Sequence, residues 1–239
     1  MTSPPATEPR YAVYWTPETN HPLWRVGCAW LGRDPGAAGP AAAPARVHVG
    51  EPWRYGFHAT LKAPMRLVAG ASRNEFLASV ERLARRGHEF QMPPLRVDWL
   101  DRFIALRPLQ PLAERAPLQQ LANACVAELD HYRAPPSDEE LARRLSAPLD
   151  ELGQDLLLRW GYPHVLQRWR FHITLSDRFA DLRSGEAQAM FRQAQAWFAP
   201  ALAALQVGRL GQQAESAGVR QQQQRVRRAG KVVRRLRAG

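Results

Sequence analysis

The apolar positions of this chain change period along its length, and the changes outline its elements. Tyr11, Ala12, Val13, Tyr14 and Trp15 form a run of β-formers that predicts a strand from Arg10 to Pro17, where proline ends it. Pro22 to Leu31 predicts a short helix, and residues 34 to 46, almost all Pro, Gly and Ala, predict a surface loop. Ser72 with Glu75 three residues on has the spacing of a capping box. The helix it opens carries Phe76, Leu77, Val80 and Leu83 on one face and stops at Gly87. Leu95, Val97 and Trp99 alternate, and Phe103 to Leu106 is continuously apolar. Two strands joined at Asp101-Arg102 follow from that pattern. Leu118, Leu121, Cys125 and Leu129 share a helical face within Leu112 to Tyr132. Ser137 to Leu145, Asp150 to Trp160 and Ser184 to Phe198 are further helices, the last closed by Pro200, and Leu202 to Leu210 reads as a final strand. Arg54 to Lys62 and Gln167 to Leu175 complete the set as two strands.

Strands and helices in this order fit a mixed, mostly antiparallel α+β fold better than a doubly wound parallel sheet. No Gly-rich loop follows a strand, which argues against a P-loop or dinucleotide-binding domain.

The last two strands share a pattern. Arg54-Tyr55-Gly56-Phe57-His58-Ala59-Thr60-Leu61 aligns without gaps on Arg168-Trp169-Arg170-Phe171-His172-Ile173-Thr174-Leu175. The copies lie too far apart for a solenoid and suit two lobes related by approximate symmetry. Side chains alternate between the faces of a strand. One face of each copy is therefore apolar: Tyr55, Phe57, Ala59 and Leu61, and Trp169, Phe171, Ile173 and Leu175. The other faces carry Arg54, Gly56, His58, Thr60 and Lys62, and Arg168, Arg170, His172, Thr174 and Ser176, all but Gly56 hydrogen-bond donors.

Two such faces across a cleft would hold an anion. Two imidazoles on either side of a phosphorus can take one proton and deliver another near neutral pH, and each Thr hydroxyl can bond a non-bridging oxygen. His58 and His172 are the candidate catalytic pair. Thr60, Thr174, Lys62 and Arg170 are the candidate substrate-binding residues. No metal and no cofactor are required by this chemistry.

Composition narrows the setting. With 239 residues, 45% of them hydrophobic, the chain can build a sizeable core. No apolar run is long enough for a membrane span, the N-terminus lacks the features of a secretory signal, and the two cysteines, Cys28 and Cys125, cannot make a disulfide framework. A cytoplasmic monomer is the expectation. Most of the net charge of +11 sits after Leu210, where eight basic residues accompany one acid. The expected organisation is a flexible N-terminus (1–9), a bilobal domain (10–210) and a basic Gln/Arg-rich tail (211–239) that is disordered or comes from a shifted reading frame. An intact gene frame would exclude the second origin. The tail raises RNA as a partner, but its lack of aromatic residues disfavours that reading.

The double His-x-Thr pattern resembles the 2H phosphoesterase superfamily. The segments Arg10–Trp15, Arg54–Pro64, Pro93–Pro108 and Arg159–Pro163 resemble one branch of it, associated with phosphonate metabolism, and the likeness runs from about Arg10 to Val207. The resemblance implies a bilobal α+β fold of two pseudo-symmetric, mostly antiparallel lobes with outer helices and a cleft between them. It implies His58 and His172 as acid and base with Thr60 and Thr174 on phosphate. The function expected from it is metal-independent hydrolysis of a cyclic phosphodiester, a cyclic phosphate sugar or nucleotide, with a small-molecule phosphate ester as substrate. The alternative is a non-catalytic module that binds nucleotide or RNA through the same cleft and the basic tail. Tyr55 and Trp169 are expected in the core, and either Tyr11 or Tyr14 could line the pocket. Tyr162 is adequately explained by packing at a helix end. His21, His48, His88, His131 and His164 have no repeat partner and are expected to be structural or on the surface.

Overall fold

The computed structural model describes residues 9–35, 44, 46–87, 90–146 and 148–215, with side chains described as far as residue 203. Strand β1 (Tyr11–Trp15) is buried along its whole length. Helix α1 (Pro22–Leu31) begins with a proline at its first turn and ends on Gly32 in the left-handed conformation, an arrangement that satisfies both helix ends. Helix α2 (Gly50–Tyr55) and strand β2 (Ala59–Met65) follow. Helix α3 (Arg73–Arg86) has the full capping box: Glu75 N–H donates to Ser72 Oγ, and Ser72 N–H donates to the Glu75 carboxylate. Strands β3 (Leu95–Leu100) and β4 (Phe103–Pro108) form the expected hairpin. Helices α4 (Pro117–Glu128), α5 (Asp138–Leu145) and α6 (Glu151–Trp160), strand β5 (Ile173–Thr174) and helix α7 (Gly185–Glu215) complete the order.

The fold is α+β with two small antiparallel sheets, β1-β2 and β3-β4-β5. One continuous core joins them. Trp15 and Phe57 from the first half pack in the same cluster as Ile104, Ile173 and Phe198 from the second. The pseudo-symmetric division into two lobes does not appear in this packing.

Several expected elements differ. The first motif strand starts at Ala59, because Arg54 and Tyr55 belong to α2. Tyr55 is exposed rather than core. The second motif strand is reduced to Ile173–Thr174, since Leu166–Arg168 makes a 3-10 turn. The long helix begins at Pro117, where proline suits the first turn, and gives way to a 3-10 turn at Asp130–Tyr132. Pro200 does not close the last helix. Helix α7 runs through it to Glu215, replacing the strand expected at Leu202 to Leu210. The alanines flanking Pro200 are strong helix formers and offset its missing N–H. Residues 1–8 and 216–239, most of the expected N-terminal and basic tails, lie outside the described residues. No helix among the described residues is long and apolar enough to cross a membrane.

Candidate functional site

The two repeat copies enter the structure differently and end alike. In the first, α2 stops at Gly56, which has φ +79° and ψ 180°, a region open almost only to glycine. A Cβ there would also lie 2.6 Å from Pro35 Cγ. The turn sends Phe57 inward onto Gly27 of α1, so closely that a Cβ at Gly27 would fall 2.4 Å from the ring. His58 then faces outward, and its Nδ1 donates to the carbonyl oxygen of Gly56 at 2.8 Å.

In the second copy Phe171 is buried, and His172 Nδ1 donates to the carbonyl oxygen of Arg170 at 2.7 Å. Burial matches position by position: Phe buried, His half-buried, the next residue buried, Thr half-buried, Leu buried. A carbonyl oxygen can only accept, so both imidazoles carry their proton on Nδ1 when neutral. Each Nε2 is then an acceptor.

The surroundings of the two rings differ. Thr60 Oγ1 lies 3.4 Å from His58 Nε2. The Tyr14 ring lies 3.8 Å from the His58 ring, on β1 opposite Thr60. Tyr14 is thus the tyrosine at the site, whereas Tyr11 packs on Phe76. His172 rests against Phe103 at 5.8 Å. Burial pushes its pKa below the ordinary imidazole value and Arg107 adds to this. The bond to the Arg170 carbonyl and the Asp101 carboxylate act in the opposite sense.

Two contacts tie the arms together. Trp169 donates its indole N–H to the carbonyl oxygen of Thr60 at 2.8 Å, and Trp15 meets Phe171 edge to face at 5.5 Å. Thr60 and Thr174 each sit in a paired strand, opposite Tyr14 and Ala105. Trp169 is buried as expected, but its polar edge makes it a link between the copies, a role that period alone does not reveal.

Lys62 and Arg170 have different placements. Lys62 is 4% exposed, and its ammonium donates to Val126 O and Asp130 Oδ1, both at 3.1 Å. Its long stem carries the charge past the strand face to the end of α4 and the 3-10 turn after it, where Arg133 also holds Asp130. Burial lowers the Lys62 pKa against the pull of Asp130. Expected as an anion ligand, Lys62 is instead engaged by a carboxylate. Its counterpart Ser176 is buried too: it accepts from Ile104 N–H at 2.9 Å and donates to Asp177 O. Arg170 is exposed, Arg168 is paired with Asp150, and Arg54 is exposed at the end of α2. Among the described residues no three His, Cys, Asp or Glu side chains gather as a metal site would.

Comparison with known proteins places this site in context. No solved structure matches. The chain is similar to a protein of Janthinobacterium sp. (strain Marseille) named ribose 1,5-bisphosphate phosphokinase PhnN, with 36% identity over 82% of this chain and 45% of that protein. It is also similar to a protein of the same name from Laribacter hongkongensis (strain HLHK9), with 38% identity over 72% of this chain and 41% of that protein. The chain therefore spans less than half the length of these relatives. Both are named as enzymes, and both as phosphokinases. That overturns the hydrolytic reading, because a kinase transfers a phosphoryl group where a phosphodiesterase would cleave an ester with water. The matched family covers residues 60–221, and the chain belongs to that family, described as "Protein of unknown function (DUF1045)".

Proposed function

We propose that this chain holds a phosphorylated ribose, of the ribose 1,5-bisphosphate kind, for an enzyme of phosphonate metabolism that transfers a phosphoryl group. One observation carries the reading: two His-x-Thr arms, each with Nδ1 bound to the carbonyl two residues back, are joined by the Trp169 bond to Thr60. A phosphate between the arms would meet two Thr hydroxyls and two imidazole Nε2 atoms. The likeness to the 2H phosphoesterase pattern supports phosphate as the group held there. The relatives' names support ribose 1,5-bisphosphate as its carrier. No Gly-rich loop follows a strand, so the reading is confined to the sugar-phosphate side of the transfer.

The tautomers add a consequence. Nδ1 is committed to a carbonyl on each ring, so Nε2 donates to a phosphate dianion only after taking up a proton. Binding is then linked to proton uptake on the imidazole.

Calorimetric titration of the purified chain with ribose 1,5-bisphosphate tests the proposal. Saturable binding is expected, weakened about tenfold, about 1.4 kcal/mol, by His58→Ala or His172→Ala. Failure of the wild-type chain to bind, or undiminished binding by the double variant, would overturn it.

A further inference from the structure

The second arm lies among cationic and aromatic groups that the two-His reading leaves without a role. Arg178 stands over the Phe103 ring at 5.4 Å, and His172 meets the same ring at 5.8 Å. Tyr162 meets His164 edge to face at 5.5 Å. The groups whose charge bears on His164 are Asp101, Arg168, Arg170 and Arg178, and those bearing on His172 are Arg107, Asp101 and His164. Arg178 also acts on Tyr162. Phe103, Tyr162, His164, Arg170, His172 and Arg178 therefore share one neighbourhood.

The arginines there are not equivalent. Arg107 is engaged by Asp98 and the Trp99 carbonyl, and Arg168 by Asp150. Among the described residues, neither Arg170 nor Arg178 makes an ion pair or a side-chain hydrogen bond, and both are exposed. Asp101, at the β3–β4 turn, is the carboxylate that bears on both histidines. Two exposed guanidiniums beside one acid leave a net positive surface next to His172. A planar guanidinium is suited to bidentate bonding of phosphate. Beside His58 lie the rings of Tyr14 and Tyr55.

We infer that Arg170 and Arg178, with His164 beside them, form a second phosphate subsite next to His172, so that the chain selects a ligand carrying two phosphates over one carrying a single phosphate. This rests on the sugar-phosphate reading above and extends it from one phosphate to two. His164, expected to be structural or on the surface, becomes part of the recognition surface.

Titration of the full chain with ribose 5-phosphate and ribose 1,5-bisphosphate decides it. The wild type is expected to prefer the bisphosphate at least tenfold. Arg170→Ala combined with Arg178→Ala should abolish that preference by weakening the bisphosphate about tenfold more than ribose 5-phosphate, and lysine at both positions should restore part of it. His58→Ala should weaken both ligands together. If the alanine pair keeps the wild-type preference, or if the wild type shows none, the second subsite is excluded while the two-His reading stands. If neither ligand binds the wild type, both proposals fall. The two arginines are exposed, so an unchanged circular dichroism spectrum in the variants separates loss of contact from loss of fold.

Discussion

The two His-x-Thr arms share a sequence, a burial pattern and a histidine tautomer, and they differ in nearly everything that holds them in place. The His58 arm is built from the inside. Gly56 makes a turn that other residues resist, Phe57 seats against Gly27, and Tyr14 covers the imidazole. The His172 arm is short in β structure, with only Ile173–Thr174 paired to β4, and it faces a more charged border. The first arm thus combines a glycine turn and ring packing with a seven-residue paired strand, whereas the second supplements its short pairing with hydrogen bonds from neighbouring segments, among them Leu175 N–H to Ile104 O and Ile104 N–H to Ser176 Oγ. A shared motif specifies what each arm presents, and its setting decides how each arm can fail.

Breaking the fourth position after each histidine gives the largest expected contrast. Lys62→Met leaves the part-buried Asp130 with Arg133 as its remaining cation, at a cost of about 3 kcal/mol, the low end for breaking a buried pair. Ser176→Ala loses two hydrogen bonds of a buried hydroxyl and costs about 1–2 kcal/mol. Chemical denaturation of the two variants measures the difference, and equal losses would show that the arms are supported alike.

Next in size is the residue two before each histidine. Gly56→Ala meets both the backbone region and Pro35, and about 1–3 kcal/mol is expected. Arg170→Ala, at the matching exposed position, should stay within about 0.5 kcal/mol. Thermal unfolding compares them.

Trp169→Phe tests the link itself. It keeps most of the apolar volume and leaves the Thr60 carbonyl without its indole donor, which costs about 1 kcal/mol. Ligand affinity should fall by more than stability does if the bond sets the spacing of the arms. A stability loss with unaltered binding would assign Trp169 to packing alone.

The smallest effect is that of pH on His172. Its folded pKa is depressed, chiefly by burial. The unfolded chain therefore takes up this proton first as pH falls. The contribution of neutral His172 to stability is complete above the unfolded imidazole value of about 6.5 and is lost progressively below it, down to the folded pKa. His172→Gln should flatten the acid side of the stability profile between those limits, and a profile identical to wild type would contradict the assignment.

Much of this architecture was legible before any coordinates. Ser72 and Glu75 announced α3, because a capping box is a local interaction. The β3–β4 hairpin followed from alternation around Asp101-Arg102. The inward and outward assignment of Phe57 to Leu61 and Phe171 to Leu175 survives even where the strands are shorter than expected, since extended backbone alternates whether or not it is paired. What was not legible depended on distant partners. The period of two places Lys62 beside His58 and Thr60, but says nothing of Asp130 on another element. Pro200 reads as a helix stop until the helix passes through it. Arg178 has no counterpart in the first copy, so comparing the repeats could not single it out.

The indole of Trp169 has a further consequence. A side chain of fixed length, set edge to face against Phe171 at one end and bonded to a carbonyl at the other, acts as a spacer gauge between the two halves of the site. Such a gauge holds the opening to one width before any ligand arrives, and the width would then be tuned by changing one aromatic residue without touching either histidine.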